Sequence, residues 1–405
     1  MPKIHSKQIS KELSLLRVDD DEVRYFEALW EIENGITYNS YLLTGEDEVI
    51  LVDGWKREYA DDFSETLKDL IDIRDITHVI VHHMEPDHSG SLVKILEENG
   101  FRAEVLGHPL VRGMMRAFYG IDVKFRAVKD GERLSLGGLH LEFFHTPWLH
   151  WPETIMTYLR GHGILFSGDA FGGFSIPPAI FDDDDEVVSS YLPFVREYIS
   201  TIIGSYRQHI PRNVKKLMDQ RLEIRMIAPA HGLIWRKNPE RIIDYYLKIA
   251  DGIPEEGKVL VIYASMYGSC EEAGNIVAEE LKKQGKRVIT YGFTDVRWAS
   301  INKIIGDAVD SESLIIIAPT YENAVFPTIS HVADLIARKI PPNKPILVLS
   351  SHGWAGVAGK KLAERFRSAN FSVIDVVEFK GKPDEDVKKR ILESVSKLLS
   401  QSSTN

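Results

Sequence analysis

His82-His83-Met84-Glu85-Pro86-Asp87-His88-Ser89-Gly90 is the stretch on which the reading of the first half of this chain turns. The apolar run 78–81 precedes it and the amphipathic stretch 89–98 follows, which predicts a strand-to-helix turn with Ser89 as the helix N-cap. Turns at strand ends are where a rigid scaffold aims several side chains at one point. Three further residues of the same chemical type each follow an apolar run: His150 before Trp151-Pro152, Asp169 after Ser167-Gly168, and His231 between Ala230 and Gly232. Taken singly, each would more often be a core histidine or a capping aspartate. As a set, His83, His88, His150 and His231 with Glu85, Asp87 and Asp169 offer three terminal ligands to each of two metals and one bridging carboxylate, leaving positions open for substrate. Without a cation, that much buried polarity would go unpaired.

The pattern His83-x-Glu85-x-Asp87-His88, then His150, Asp169 and His231, resembles the metallo-β-lactamase superfamily, whose hydrolases usually have His where Glu85 stands. Three carboxylates reduce two divalent cations to a formal charge of about +1, and the harder oxygen donor favours iron or manganese over a purely zinc site. Exchange of this His for Glu marks the flavodiiron branch. The resemblance implies that His83, Glu85 and His150 hold one iron, that Asp87, His88 and His231 hold the other, and that Asp169 bridges them. His82 points away from His83 along the strand and is expected to pack or support. Asp53, at a strand end, is a candidate to orient a ligand imidazole. His78, His108, His140, His145, His162 and His209 stand outside the motif. The acidic run 182–186 is expected to be a solvated loop, because like charges prefer water.

A polar, turn-rich stretch, 251–257, precedes an abrupt apolar run and places a boundary there: 1–254 as a metallo-β-lactamase-like diiron domain, an αββα sandwich, and 255–405 as a flavodoxin-like FMN-binding domain. In the second part, β-rich runs at 259–263, 287–291, 314–318, 346–350 and 372–378 alternate with helical patterns. That alternation predicts right-handed βαβ crossovers and a doubly wound parallel five-stranded sheet in the order 2-1-3-4-5. The first strand runs into Ser265, Met266, Tyr267, Gly268, Ser269 and Cys270, and hydroxyls with free N–H groups at a helix N-terminus form an anion site. This segment resembles the flavodoxin phosphate loop, with Cys270 where Thr is customary, so one hydroxyl contact is expected to be absent or replaced. Two more loops, Pro319, Thr320, Tyr321, Glu322, Asn323 and Ala324, then Ser351, His352, Gly353, Trp354, Ala355 and Gly356, converge at the same sheet edge in this strand order. Tyr321 and Trp354 are placed to flank a flat ring, and the three loops together point to FMN.

The whole chain has 405 residues and a formal net charge of -11, which argues against nucleic-acid partners, whose phosphates demand clustered Lys and Arg. Its single cysteine, Cys270, excludes a disulfide framework, a thiolate zinc site and a cysteine-ligated cluster within one chain and suits a reducing cytoplasm. The N-terminal 16 residues lack a signal-peptide core, no apolar run reaches membrane-spanning length, and, with the four cysteines of a rubredoxin absent, no fused rubredoxin is expected after the polar tail that follows 399. A flavin tethered to redox-silent zinc would be pointless, so the fusion implies metals that change oxidation state.

The expected function is reduction of dioxygen to water at a non-haem diiron site through FMN. The resemblance, strongest to the methanogen oxidase branch, makes reduced coenzyme F-420 the favoured donor and a rubredoxin the other. Nitric oxide reduction to nitrous oxide is the alternative, and a zinc hydrolase the alternative from another class. Domains of these sizes have radii of gyration of roughly 18 and 15 Å, far enough to separate their sites within one chain. Together with the resemblance, this implies a head-to-tail homodimer, or a dimer of dimers, with each flavin serving its partner's irons.

Overall fold

The computed structural model describes residues 2–402; Met1 and the end of the polar tail, 403–405, lie outside them. Packing divides the chain into two units, Met1–Tyr198 with Gln208–Leu247 and Ile199–Arg207 with Lys248–Asn405.

The first unit is built on two sheets. One runs in chain order through β1 (Lys3–Gln8), β2 (Leu13–Asp20), β3 (Ile36–Thr44), β4 (Val49–Val52), β5 (His78–Val81), β6 (Glu104–Gly107) and β7 (Phe125–Ala127). The other comprises β8 (Arg133–Leu136), β9 (Leu139–His145), β10 (Ile155–Leu159), β11 (Ile164–Gly168) and β12 (Met226–Pro229). Alternating residues place one face of each in a common core: Leu13 and Leu15, Tyr41 and Leu43, Ile50 and Val52 from the first sheet meet Leu141, Phe143, Leu159 and Phe166 from the second. Helices such as Ala60–Lys68 and Leu92–Glu98 complete the αββα sandwich. From β4 to β7 the strands are parallel, as are β11 and β12, so β5, β11 and β12 each end in a loop that can carry a ligand.

Two local expectations are corrected here. Ser89 does not cap the following helix. It ends a short turn of helix, Pro86–Ser89, and its hydroxyl donates to the carbonyls of Met84 and Glu85, while the longer helix begins at Leu92. The acidic run is only partly solvated. Asp182 is buried and accepts the N–H groups of Arg236, Lys237 and Asn238, so a carboxylate that charge repulsion would send to water instead closes a turn.

The second unit is a flavodoxin-like parallel sheet of β13 (Lys258–Ala264), β14 (Arg287–Thr294), β16 (Ser313–Tyr321), β18 (Pro345–His352) and β19 (Ser372–Lys380) in the spatial order β14-β13-β16-β18-β19, which is the expected 2-1-3-4-5. Two-residue strands β15 (Arg297–Trp298) and β17 (Ala324–Val325) hang antiparallel on β14 and β16. The central strands are buried on both faces, hence their unbroken apolar runs. Helices Ser269–Lys283 and Glu385–Ser402 cover one face over Val259, Val261, Ile315, Ile317, Leu347 and Leu349.

Candidate functional site

All seven histidines and carboxylates singled out in the first unit are buried and gather at the carboxyl ends of its strands. His83 and Glu85 follow β5. Pro86, whose missing N–H costs nothing at a first helical position, starts the short turn that presents Asp87 and His88. His150 sits on the β9–β10 turn, Asp169 follows β11, and His231 follows β12.

The geometry sorts them around one residue. Asp169 Oδ2 lies 2.9 Å from His150 Nε2 and 3.3 Å from His83 Nε2, while Glu85 Oε2 is 2.7 and 3.5 Å from the same two nitrogens. The other oxygen, Oδ1, lies 2.8 Å from His88 Nε2 and 3.4 Å from His231 Nε2, and Asp87 Oδ2 is 3.3 and 3.5 Å from those two. One carboxylate thus stands between two sets, each of two imidazoles and one further carboxylate. The Nδ1–H of His231 donates to the Thr37 carbonyl at 2.7 Å, which leaves Nε2 as the lone-pair nitrogen turned toward the cluster.

These groups fit a pair of cations. Both ring nitrogens of His83 and His88, both oxygens of Asp87 and Asp169, and Nε2 of His231 are buried without a hydrogen bond of good geometry. Burial opposes charge, yet the carboxylate field of Glu85 and Asp169 prevails at His150, which is pushed up to about 10. Glu85 is likewise held at about 2 against burial by His150 and His83, and Asp169 well below the carboxylate range by its imidazoles. Asp87 is the exception, raised by burial that His88 only partly offsets. Positive charge is what this cluster demands, and the mixed nitrogen and oxygen donors suit iron.

Asp53 does not orient any of the seven. It accepts the His82 backbone N–H at 2.9 Å and pairs with His82 Nδ1 at 2.6 Å, while His82 Nε2 meets Thr157 Oγ1 at 3.0 Å. The strand end that presents His83 is fixed by this buried triad. Sequence reading also missed the aromatic wall around His231, made by Phe26, Tyr38 and Tyr198 with ring centroids 5.6–6.1 Å away, because isolated aromatics carry no spacing signal. His78, His140 and His162 bond to local polar groups away from the cluster.

In the second unit a cavity of about 380 Å³ opens at the carboxyl edge of the sheet. It is lined by Met266, Tyr267 and Ser269 of the first loop, Pro319, Thr320, Glu322 and Asn323 of the second, and Ser351, His352, Gly353, Trp354 and Ala355 of the third, joined by Gly381, which sequence reading did not include. Gly268, at φ +88°, turns the chain into helix Ser269–Lys283, whose N-terminal N–H groups suit a phosphate. Ser265 Oγ is buried without a hydrogen-bond partner at the start of that loop. Trp354 and Tyr267 project almost fully exposed, large flat surfaces at the rim where an isoalloxazine would stack. The fit to FMN is good. Ser265, Gly268, Cys270, Tyr321, Ala324 and Gly356 do not themselves line the cavity.

For Cys270 this corrects its expected role in the phosphate loop. Its side chain turns into the core beside Val259, Ala273 and Ile317, and burial pushes the thiol up to about 12, against the Ser351 N–H that lowers it. We therefore expect no measurable reaction of the native protein with a thiol-titrating disulfide at pH 8, and one thiol per chain after denaturation. A fast native titre would place Cys270 at the surface.

A sequence family described as ODP family beta lactamase matches residues 36–232. A mutant of the flavo di-iron protein from Thermotoga maritima is 40% identical and superposes with a TM-score of 0.94 over 99% of this chain and 100% of that one. The rubredoxin oxygen:oxidoreductase from Desulfovibrio gigas is 25% identical, with a TM-score of 0.93 over 98% of this chain and 99% of its own. The anaerobic nitric oxide reductase flavorubredoxin of Escherichia coli strain K12 is 28% identical over 372 residues, 91% of this chain and 77% of that protein. With a buried donor set for two metals in one unit and a flavin cleft in the other, this chain belongs to the flavodiiron proteins, redox enzymes that carry FMN and a diiron site.

Proposed function

We propose that this protein reduces dioxygen to water, taking electrons through FMN from reduced coenzyme F-420. The observation that carries the diiron part is the division of Asp169, one oxygen toward His83 and His150 and the other toward His88 and His231. In this reading His83, Glu85 and His150 hold one iron, Asp87, His88 and His231 the other, and Asp169 spans them. Glu85 distinguishes the site from a zinc hydrolase, because it sets a hard oxygen where an imidazole would otherwise stand. When bound, two ferrous irons and one reduced FMN together supply the four electrons that turn dioxygen into two waters.

The protein's part is to hold that charge in place and keep bulk water out. Burial of all seven ligands lowers the local dielectric, and the Thr37 carbonyl fixes the tautomer of His231. Ser269 and the helix N-terminus hold the FMN phosphate, with Tyr267 and Trp354 against the ring. A second reading, nitric oxide reduction with rubredoxin as donor, is supported by the name of the Escherichia coli relative.

One experiment separates the readings. Purified protein, loaded with ferrous iron and FMN and assayed anaerobically, is given reduced coenzyme F-420 or reduced rubredoxin, then dioxygen or nitric oxide. The expected result is about two irons per chain and fastest turnover with F-420 and dioxygen. Faster turnover with rubredoxin and nitric oxide would select the second reading, and full activity with zinc alone would overturn both.

A further inference from the structure

Glu153 is completely buried on the same turn as His150, and the mechanism above makes no use of it. Its Oε1 accepts the backbone N–H of Met84 at 3.1 Å, and Met84 stands between His83 and Glu85. Two residues on, the N–H of Ile155 donates to the His82 carbonyl at 2.9 Å. The turn that carries His150 therefore grips the strand end on both sides of His83. Its other oxygen, Oε2, is buried and makes no hydrogen bond.

Several other buried carboxylates outside the seven face a cation or an imidazole, and Asp182 is met by three backbone N–H groups. Asp53 has His82, Glu142 has Arg133 and Arg160, and Asp310 has Lys258. Among the described residues no ion pair reaches Glu153. Its charge raises His108, yet burial and then the neighbouring His145 hold that imidazole below the usual histidine range, so it is no standing cation. A wholly buried carboxylate without a counter-charge is strongly disfavoured. Two divalent cations among three ligand carboxylates leave a formal charge of about +1, with the sign and size that one more carboxylate would cancel.

We propose that Glu153 is the charge-balancing carboxylate of the metal centre: it binds neither metal, neutralises the charge that the ligands leave, and locks the His150 turn against the His83–Glu85 strand end. The proposal rests on the diiron reading of the seven-residue cluster. Glu153 is a positioning residue, since it acts through Met84 and through its field.

The test uses the full chain, freed of metal and titrated anaerobically with ferrous iron against a competing chelator, followed by a redox titration of the mixed-valent signal by electron paramagnetic resonance. Glu153→Gln keeps an acceptor oxygen for the Met84 N–H and removes only the charge. It is expected to bind the second iron about tenfold more weakly and to raise the potential of the diiron couple, because a lost negative charge favours the reduced state. Glu153→Leu removes charge and grip together and is expected to retain at most one iron. FMN content and circular dichroism confirm that each variant is folded. If the unaltered protein fails to take two ferrous ions, the diiron reading itself falls. If it takes two and the Gln variant matches it in both second-iron affinity and potential, or the Leu variant keeps two irons at undiminished affinity, the role given to Glu153 is overturned.

Discussion

Asp169→Ala is expected to leave fewer than two irons per chain and to abolish turnover while FMN stays bound. No other residue in the cluster faces all four imidazoles: its oxygens lie 2.8–3.4 Å from the Nε2 atoms of His83, His88, His150 and His231. Removing the carboxylate raises the formal charge of two cations and their ligands from about +1 to about +2 and takes one donor from each. The loss in affinity should exceed the roughly 10–100-fold that follows from removing a group merely hydrogen-bonded to a ligand. Asp169→Asn should fare little better, since its amide keeps the shape without the charge and turns an acceptor into a donor facing imidazole nitrogen. Elemental analysis, FMN absorbance and an oxygen electrode read the outcome. Unchanged iron content and turnover would remove Asp169 from the bridging position.

The second large effect lies in the backbone beside His231. Gly232 has φ +77°, and a Cβ placed there would meet Tyr191 Oη at 1.6 Å and Cζ at 2.5 Å. Tyr191 cannot swing clear cheaply, because it is buried and its hydroxyl donates to the Gly173 carbonyl at 3.1 Å. Gly232 itself donates its N–H to Thr37 Oγ1 at 2.7 Å, on the residue whose carbonyl orients His231. Gly232→Ala should therefore cost about 2–5 kcal/mol, the sum of a left-handed alanine and an overpacked core. The iron on the His231 side should be lost with it. Tyr191→Phe in the same chain removes the closest atom but not the ring carbon, so recovery should be partial. Thermal unfolding and iron content are the measurements, and a variant as stable as the unaltered protein would show that the turn relaxes freely.

Much of the architecture was legible in local pattern. Hydrophobic runs separated by helical stretches are a physical requirement of a parallel sheet buried on both faces, so the parallel sheet of the second unit followed from the sequence between 258 and 380, and its strand order from the likeness to flavodoxin-type folds. The seven candidate ligands were legible for a similar reason. Histidine and carboxylate are costly to bury, so their concentration after apolar runs is improbable unless a cation compensates them.

Where one residue's role depends on which way it faces, the chain alone misled. Cys270 stands at the phosphate loop in sequence, yet the second position of a helix can face either the ligand or the sheet, and packing against Val259 and Ile317 turned it to the sheet. Ser89, Asp53 and Asp182 were misread in the same way, because their partners, Met84 and Glu85, His82, and the 236–238 turn, were chosen by how strands and loops met. Sequence by itself determined the donor types, their spacing and the alternation of strands with helices, all consequences of local periodicity and of the cost of burying charge. Only the tertiary structure decided that Asp169 divides its oxygens between two sets of imidazoles and that Glu153 is buried facing no cation, since both depend on residues up to 86 positions apart in sequence being brought within hydrogen-bonding reach or kept out of it.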